Sequence, residues 1–289
     1  MIRILIEKPI FRLLRPAQWT KNLFCLAAPI FVAQSLTPAD WVNVALTFAG
    51  FCALASAVYT INDLCNLRED RAHPVKRLRP LATGAVRRET ALVLTIGLVV
   101  TGALILALTT PMTLLMGGAY VGLHLAYSLG IRNIPVLELF FLATGFALRV
   151  MAGAFAVEIA WTAPLLLTTY GLSLLLGVGK RQSEMQWGKS VNRISRPVLD
   201  HYGERTLSGL AMTAGVFTAL SYCWLASQYL SSVHTAASSL LVVLGIGRYL
   251  WILLKQGGGE RPERLLYSDL FLTAILISWC GVFLHAIYG

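Results

Sequence analysis

Long apolar runs alternate with short polar gaps along the chain. Windows of membrane-crossing length fall near residues 22–37, 41–61, 91–109, 111–129, 134–156, 162–180, 207–230, 235–254 and 268–288. A helix needs about 20 apolar residues to span the hydrocarbon layer, so the pattern predicts an all-α polytopic membrane protein of about nine helices. The first window is interrupted by Pro29. No stretch shows the two-residue alternation of a half-buried strand. One transmembrane domain is expected over 1–289, with polar loops at 62–90 and 180–206.

Composition sharpens this picture. The chain is 56% hydrophobic and 13% charged, with mean hydropathy +0.67, whereas a soluble domain carries about 25% charged residues. That excludes a soluble globule. The net charge of +10 follows the loops. Of the 24 Lys and Arg, 22 lie in 1–21, 62–90, 130–133, 180–206 and 255–267, and the opposite loops hold only Asp40 and Glu158. Positive charge concentrates on the cytoplasmic side. The N-terminus and both polar loops are therefore expected in the cytoplasm, in an integral cytoplasmic-membrane protein. Topology accounts for the charge, so no nucleic-acid partner is expected. The opening MIRILIEKPIFRLLRPAQW has bases breaking its apolar run. It reads as an interfacial helix over 1–21 with Trp19 near the headgroups, not as a signal peptide. The cysteines form no C-x-x-C pair or metal spacing.

Orientation does not explain acids, which contribute little to it. The span ending near residue 61 runs into NDLCNLREDRAHPVKRLRPLATG. Asp63, Asn66 and Asp70 are spaced three and then four apart, so a continuing helix presents them on one face, with Asn62 beside Asn66. Hard oxygen donors of this kind suit Mg²⁺, which takes one or two carboxylates and lets phosphate oxygens and water complete its shell. Arg71, Lys76, Arg77 and Arg79 follow at once and suit further phosphate oxygens. The plain alternative is a solvated loop whose acids balance its bases. His73 could act as a base, and Tyr127 or Arg132 could reach a phosphate.

This stretch resembles the first aspartate-rich motif, N-D-x-x-D-x-x-x-D, of the UbiA superfamily of intramembrane prenyltransferases. DRAHPVKRLRP, RPAQWTKNLF, YSLGIRNIPVLELFFLATGFALRVMAGA and GKRQSEM are similar to its polyprenyl-phosphate phosphoribosyltransferase branch. The resemblance implies a UbiA-like bundle with a cytosol-facing polar cavity. It implies transfer of a 5-phosphoribosyl group from phosphoribosyl diphosphate (PRPP) to a polyprenyl phosphate, for arabinan-type glycan or cell-envelope precursors. Mg²⁺, or Mn²⁺ in its place, would sit on Asp63, Asn66 and Asp70, and Lys21 and Asn22 enter the implied substrate-binding set. A homo-oligomer is also implied. Two positions depart from the pattern: Asn66 replaces an Asp, and Arg132 replaces the usual Lys after YSLxL.

The second polar loop, GKRQSEMQWGKSVNRISRPVLDHYGER, offers Lys180, Arg181 and Glu184 but no D-x-x-x-D. That favours substrates richer in phosphate than those of an aromatic-ring prenyltransferase, the alternative enzyme. A transporter or a non-catalytic scaffold is the alternative of another class. Glu138 and Arg149 sit within one span, eleven residues apart and able to share a face. Glu138 is expected to reach a ribose hydroxyl, and Arg149 either substrate or backbone carbonyls. Glu184 can pair with Lys180 four residues before it. Arg248 is expected to snorkel to the cytosol, and Ser268 or Asp269 to cap the last helix.

Overall fold

In the helix Arg88–Ala107, Ala91, Thr95, Gly102 and Leu106 are buried, while Val93, Ile96, Val100 and Leu104 are exposed. The larger apolar stripe faces outward and the smaller, partly polar one inward. That inversion of the soluble pattern is what a lipid surround favours, because close packing rather than hydrophobic burial drives helices together there. The structure, a computed structural model, describes residues 9–190, 197–256, 265 and 268–289. The start of the predicted interfacial helix, 191–196 of the second polar loop, and 257–264 with 266–267 lie outside the described residues.

In chain order the helices are α1 (Pro9–Leu14), α2 (Ala27–Phe31), α3 (Pro38–Cys65), α4 (Leu67–Ala72), α5 (Arg88–Ala107), α6 (Pro111–Leu129), α7 (Leu137–Ala156), α8 (Ala163–Ser190), α9 (Glu204–Tyr229), α10 (Ser232–Gln256) and α11 (Leu270–Tyr288). Among the described residues, eight helices are long and apolar enough to cross a membrane. The first predicted window is the difference. There a 3₁₀ stretch, Pro16–Leu26, leads into the short α2, whose third residue is Pro29. Prolines at both places limit regular helix.

Helix starts follow the local chemistry. Thr37 and Asp40 form a reciprocal capping box ahead of Pro38, and Thr110 caps α6 ahead of Pro111. The Asp269 carboxylate accepts from the Leu272 amide, the predicted cap of α11.

The described chain packs as two compact units, one of Met1–Arg132 with Leu148–Trp161, the other of Asn133–Ala147 with Thr162–Gly289. In the first, Phe51 and Leu54 of α3 meet Leu106 of α5 and Tyr120 of α6. Gly50 and Gly102 let α3 and α5 approach: a Cβ on Gly102 would lie 2.7 Å from the Leu54 side chain and 3.1 Å from the Gly50 carbonyl. In the second, Leu175 and Val178 of α8 pack with Leu207 and Ala211 of α9 and with Tyr249 and Leu253 of α10. The Trp279 indole of α11 donates to the Tyr222 hydroxyl of α9 at 2.7 Å.

Candidate functional site

In the first unit α3 ends at Cys65 and α4 begins at Leu67, with Asn66 between them at φ −101° and ψ 15°. Hydrogen bonding continues through this joint: the Asn66 amide donates to the Asn62 carbonyl at 3.1 Å and the Asp70 amide to the Asn66 carbonyl at 2.8 Å. The predicted register therefore survives a local break. Asp63, Asn66 and Asp70 are all buried.

Asp63 and Asp70 converge on one nitrogen. Arg79 Nη1 lies 3.0 Å from Asp63 Oδ1 and 2.6 Å from Asp70 Oδ2. Arg15 Nη2 lies 2.5 Å from the same Asp63 oxygen. Burying a carboxylate without a partner costs several kcal/mol, roughly, and these guanidinium groups are the partners. Arg132 donates to Asn66 Oδ1 and, at 2.8 Å, to Glu69. The Asn66 amide group donates to Asn62 Oδ1 at 3.0 Å. Beside this cluster opens a cleft of about 390 Å³ lined by Arg12, Arg15, Asp63, Val75, Lys76, Leu78, Arg79 and Pro80. Four of those side chains are cationic and one is acidic, so the cleft favours an anion.

Other predicted residues of this unit take different parts. Arg71 donates to the Ala82 carbonyl at 3.3 Å, and Arg77 is exposed. The His73 ring nitrogen Nδ1 accepts from the Val75 and Lys76 amides, both at 3.2 Å, and so stabilises a turn. Trp19 donates to Ser56 at 3.0 Å, which ties the 3₁₀ stretch to α3. Tyr127 and Lys21 are half-buried. Asn22 is buried: its amide contacts Cys52, and its carbonyl oxygen accepts from Arg149 Nε at 2.7 Å. Arg149 also donates to the Tyr120 hydroxyl at 2.9 Å and stacks over that ring at 4.5 Å. The Asn22 and Tyr120 oxygens and a π face thus contribute to holding Arg149, for which backbone carbonyls or substrate were expected. Gly153, one turn on, lets the 3₁₀ stretch come close, since a Cβ there would lie 1.8 Å from the Cys25 carbonyl oxygen.

The second unit has its own polar cluster. Arg181 grips both oxygens of Glu138, Nε–Oε1 at 2.5 Å and Nη2–Oε2 at 2.7 Å, and its third nitrogen reaches Glu184 at 3.0 Å. Glu138, expected to reach a ribose hydroxyl, forms a buried bidentate pair with Arg181. Glu184 answers Arg181 as well as lying four residues from the exposed Lys180. Just before α7, Val136 holds φ 66° while its amide donates to the Tyr202 hydroxyl at 2.6 Å. That is strained for a β-branched residue. Arg248, expected to snorkel, pairs with Asp269, the cap of α11, at 2.7 Å and lies over the Trp251 ring.

Could the acid pair take a cation? Among the described residues no three His, Cys, Asp or Glu side chains gather to hold a metal. The donors of Asp63, Asp70 and Asn66 are nevertheless all hard oxygens, and the two carboxylates already share one cationic neighbour. That set fits Mg²⁺, which completes its shell with water and phosphate oxygens.

The profile of the UbiA prenyltransferase family matches residues 22–284. The chain belongs to this family. A decaprenyl-phosphate phosphoribosyltransferase of Mycolicibacterium smegmatis is 31% identical over 96% of this chain and 92% of its own length. One of Corynebacterium glutamicum is 30% identical over 95% and 85%. The solved structure of a UbiA homolog from Archaeoglobus fulgidus bound to DMAPP and Mg²⁺ superposes with TM-score 0.74 at 18% identity, covering 95% of this chain and 98% of that one. The UbiA fold thus extends over nearly the whole chain. Within this UbiA-family site, Arg12 and Arg15 are the residues that pattern reading missed. Both had been read as topology anchors, and no local spacing ties Arg15 to an acid 48 residues later.

Proposed function

We propose that this protein transfers a 5-phosphoribosyl group from PRPP to a polyprenyl phosphate in the cytoplasmic membrane, with its active site on the cytoplasmic side. The product would feed arabinan-type glycan or cell-envelope precursors. The observation that carries this reading is a pair of buried carboxylates joined through Arg79, one of which, Asp63, lines a cleft with four cationic side chains. The full-length similarity to decaprenyl-phosphate phosphoribosyltransferases supports the choice of donor and acceptor.

In the reaction an oxygen of the lipid phosphate bonds to ribose C1 as the C1–O bond to diphosphate breaks, and diphosphate leaves with that electron pair. The acceptor is already an anion at neutral pH, so the site needs no strong base, in keeping with a turn-forming His73. Asp63, Asp70 and Asn66 would hold Mg²⁺, or Mn²⁺ in its place, which when bound would supply positive charge to offset that of the diphosphate. Arg15, Lys76 and Arg79 bind and orient the anionic donor in the cleft.

The test supplies purified protein with isotope-labelled PRPP, polyprenyl phosphate and Mg²⁺. Label in the lipid extract, with diphosphate released in equal amount, is the expected result. No transfer from PRPP, together with transfer of a prenyl group from a prenyl diphosphate to an aromatic acid, would overturn the reading.

A further inference from the structure

Each carboxylate of the acid pair already holds a cation from its own chain. Arg79 Nη1 sits between Asp63 Oδ1 and Asp70 Oδ2 at 3.0 and 2.6 Å, and Arg15 Nη2 adds 2.5 Å to Asp63. Mg²⁺ binds oxygen at about 2.0–2.1 Å. It cannot share the point between the two acids with a guanidinium nitrogen.

The two sides of these ion pairs differ in freedom. The Asp63 and Asp70 side chains are 2% and 5% exposed, those of Arg15 and Arg79 23% and 25%. The acids are buried, whereas both guanidinium groups are partly exposed and border the cleft. Turning into an empty cleft would cost each arginine its partner. Turning onto a diphosphate there replaces one charge-assisted contact with another.

The backbone supplies a separate observation. Arg15 has φ 52° and ψ 58° directly before Pro16. A left-handed conformation costs a non-glycine residue about 1–2 kcal/mol, and a following proline further restricts the backbone. Hydrogen bonds pin both sides of it: Ser56 donates to the Leu14 carbonyl at 2.8 Å, and the Gln18 amide to the Arg15 carbonyl at 2.8 Å. Strain held in place by its surroundings marks a residue whose direction matters, and this one is aimed at Asp63.

We propose that Arg15 and Arg79 make the acid pair selective for a metal–diphosphate over the bare divalent ion. They occupy the carboxylates until a diphosphate enters the cleft, then pass to its oxygens as the ion takes the acids. Lys76 and Arg12 add positive charge to the receiving side. This role rests on the reading of the donor as a diphosphate.

The test measures Mn²⁺ binding to the full-length purified protein by electron paramagnetic resonance of the free ion, with and without inorganic diphosphate or PRPP. Wild type is expected to bind bare Mn²⁺ weakly, and to bind it at least about tenfold more tightly with either anion. R79Q should tighten bare Mn²⁺ binding about tenfold and reduce the coupling to under about threefold. R15Q, touching one carboxylate only, should shift both quantities less in the same direction. It also serves as the second variant if R79Q does not fold. Bare-ion affinity unchanged or weakened in the folded variants overturns the proposal. Wild type whose Mn²⁺ affinity responds to neither anion overturns the diphosphate reading itself.

Discussion

Replacing Glu138 or Arg181 separately, and then both, tests whether their contact is structural. Glu138 is fully buried and the Arg181 side chain 3% exposed, joined by two hydrogen bonds of 2.5 and 2.7 Å. Removing one partner from such a pair leaves a buried charge and costs about 3–5 kcal/mol. Arg181→Met also gives up the partly exposed contact to Glu184, about 0.5 kcal/mol more. Replacing both, as Glu138→Leu with Arg181→Met, removes the charges together and is expected to fall within about 2 kcal/mol of wild type. The coupling energy should therefore be at least about 3 kcal/mol. Reversible unfolding in mixed micelles of rising SDS fraction measures all four proteins. Single effects that add to within about 0.5 kcal/mol would refute the structural role. If Glu138 instead met the ribose, Glu138→Gln would keep wild-type stability and raise the KM for the donor.

Asp63→Asn and Asp70→Asn should each lower transfer at least about 100-fold while eluting and melting as folded protein; wild-type turnover in both would remove the acid pair from the reaction. Gly153→Ala should cost about 3 kcal/mol or more, because its Cβ would meet the Cys25 backbone at 1.8 Å; a variant as stable as wild type in the same micelles would refute that close approach. The Arg248 hydrogen bond, and then the Leu272 amide, hold the Asp269 carboxyl below the ordinary aspartate value of 3.8. A depressed folded value means its stabilisation is complete above the ordinary value and lost as pH falls through the folded one. Asp269→Asn keeps a capping side chain but loses the charge paired with Arg248, so it should flatten the acid limb of the stability profile; identical acid limbs in the two proteins would refute the assignment.

What the sequence made legible was local. Span positions, the Asp269 cap and the register of Asp63, Asn66 and Asp70 depend on hydropathy and on neighbours three to seven residues away. Even the α3–α4 break did not disturb that register, because hydrogen bonds cross it. The window 22–37 has a span's apolar content but holds a 3₁₀ stretch and Pro29, and its content says nothing of Asn22, which packing places against Arg149, 127 residues on. The partner of Arg248 was equally out of reach of local pattern, since its acid sits at the cap of the next helix. Partners this distant are chosen by tertiary packing, and a basic residue near a membrane edge reads first as an anchor of orientation.

Arg15 is the sharpest instance. Its neighbours predict nothing special, and a following proline argues against the backbone it adopts. Only the fold shows that the chain turns left-handed there and sets a guanidinium on Asp63. The same contact gives the acids a second meaning. Spacing alone suggests a cation site at Asp63 and Asp70; with Arg15 and Arg79 in place the two acids are already balanced in charge. Such a site gains little from a bare ion, which must first displace a guanidinium. It gains from a ligand that brings an ion for the acids and an anion for the arginines together, and a metal-bound diphosphate is that kind of ligand.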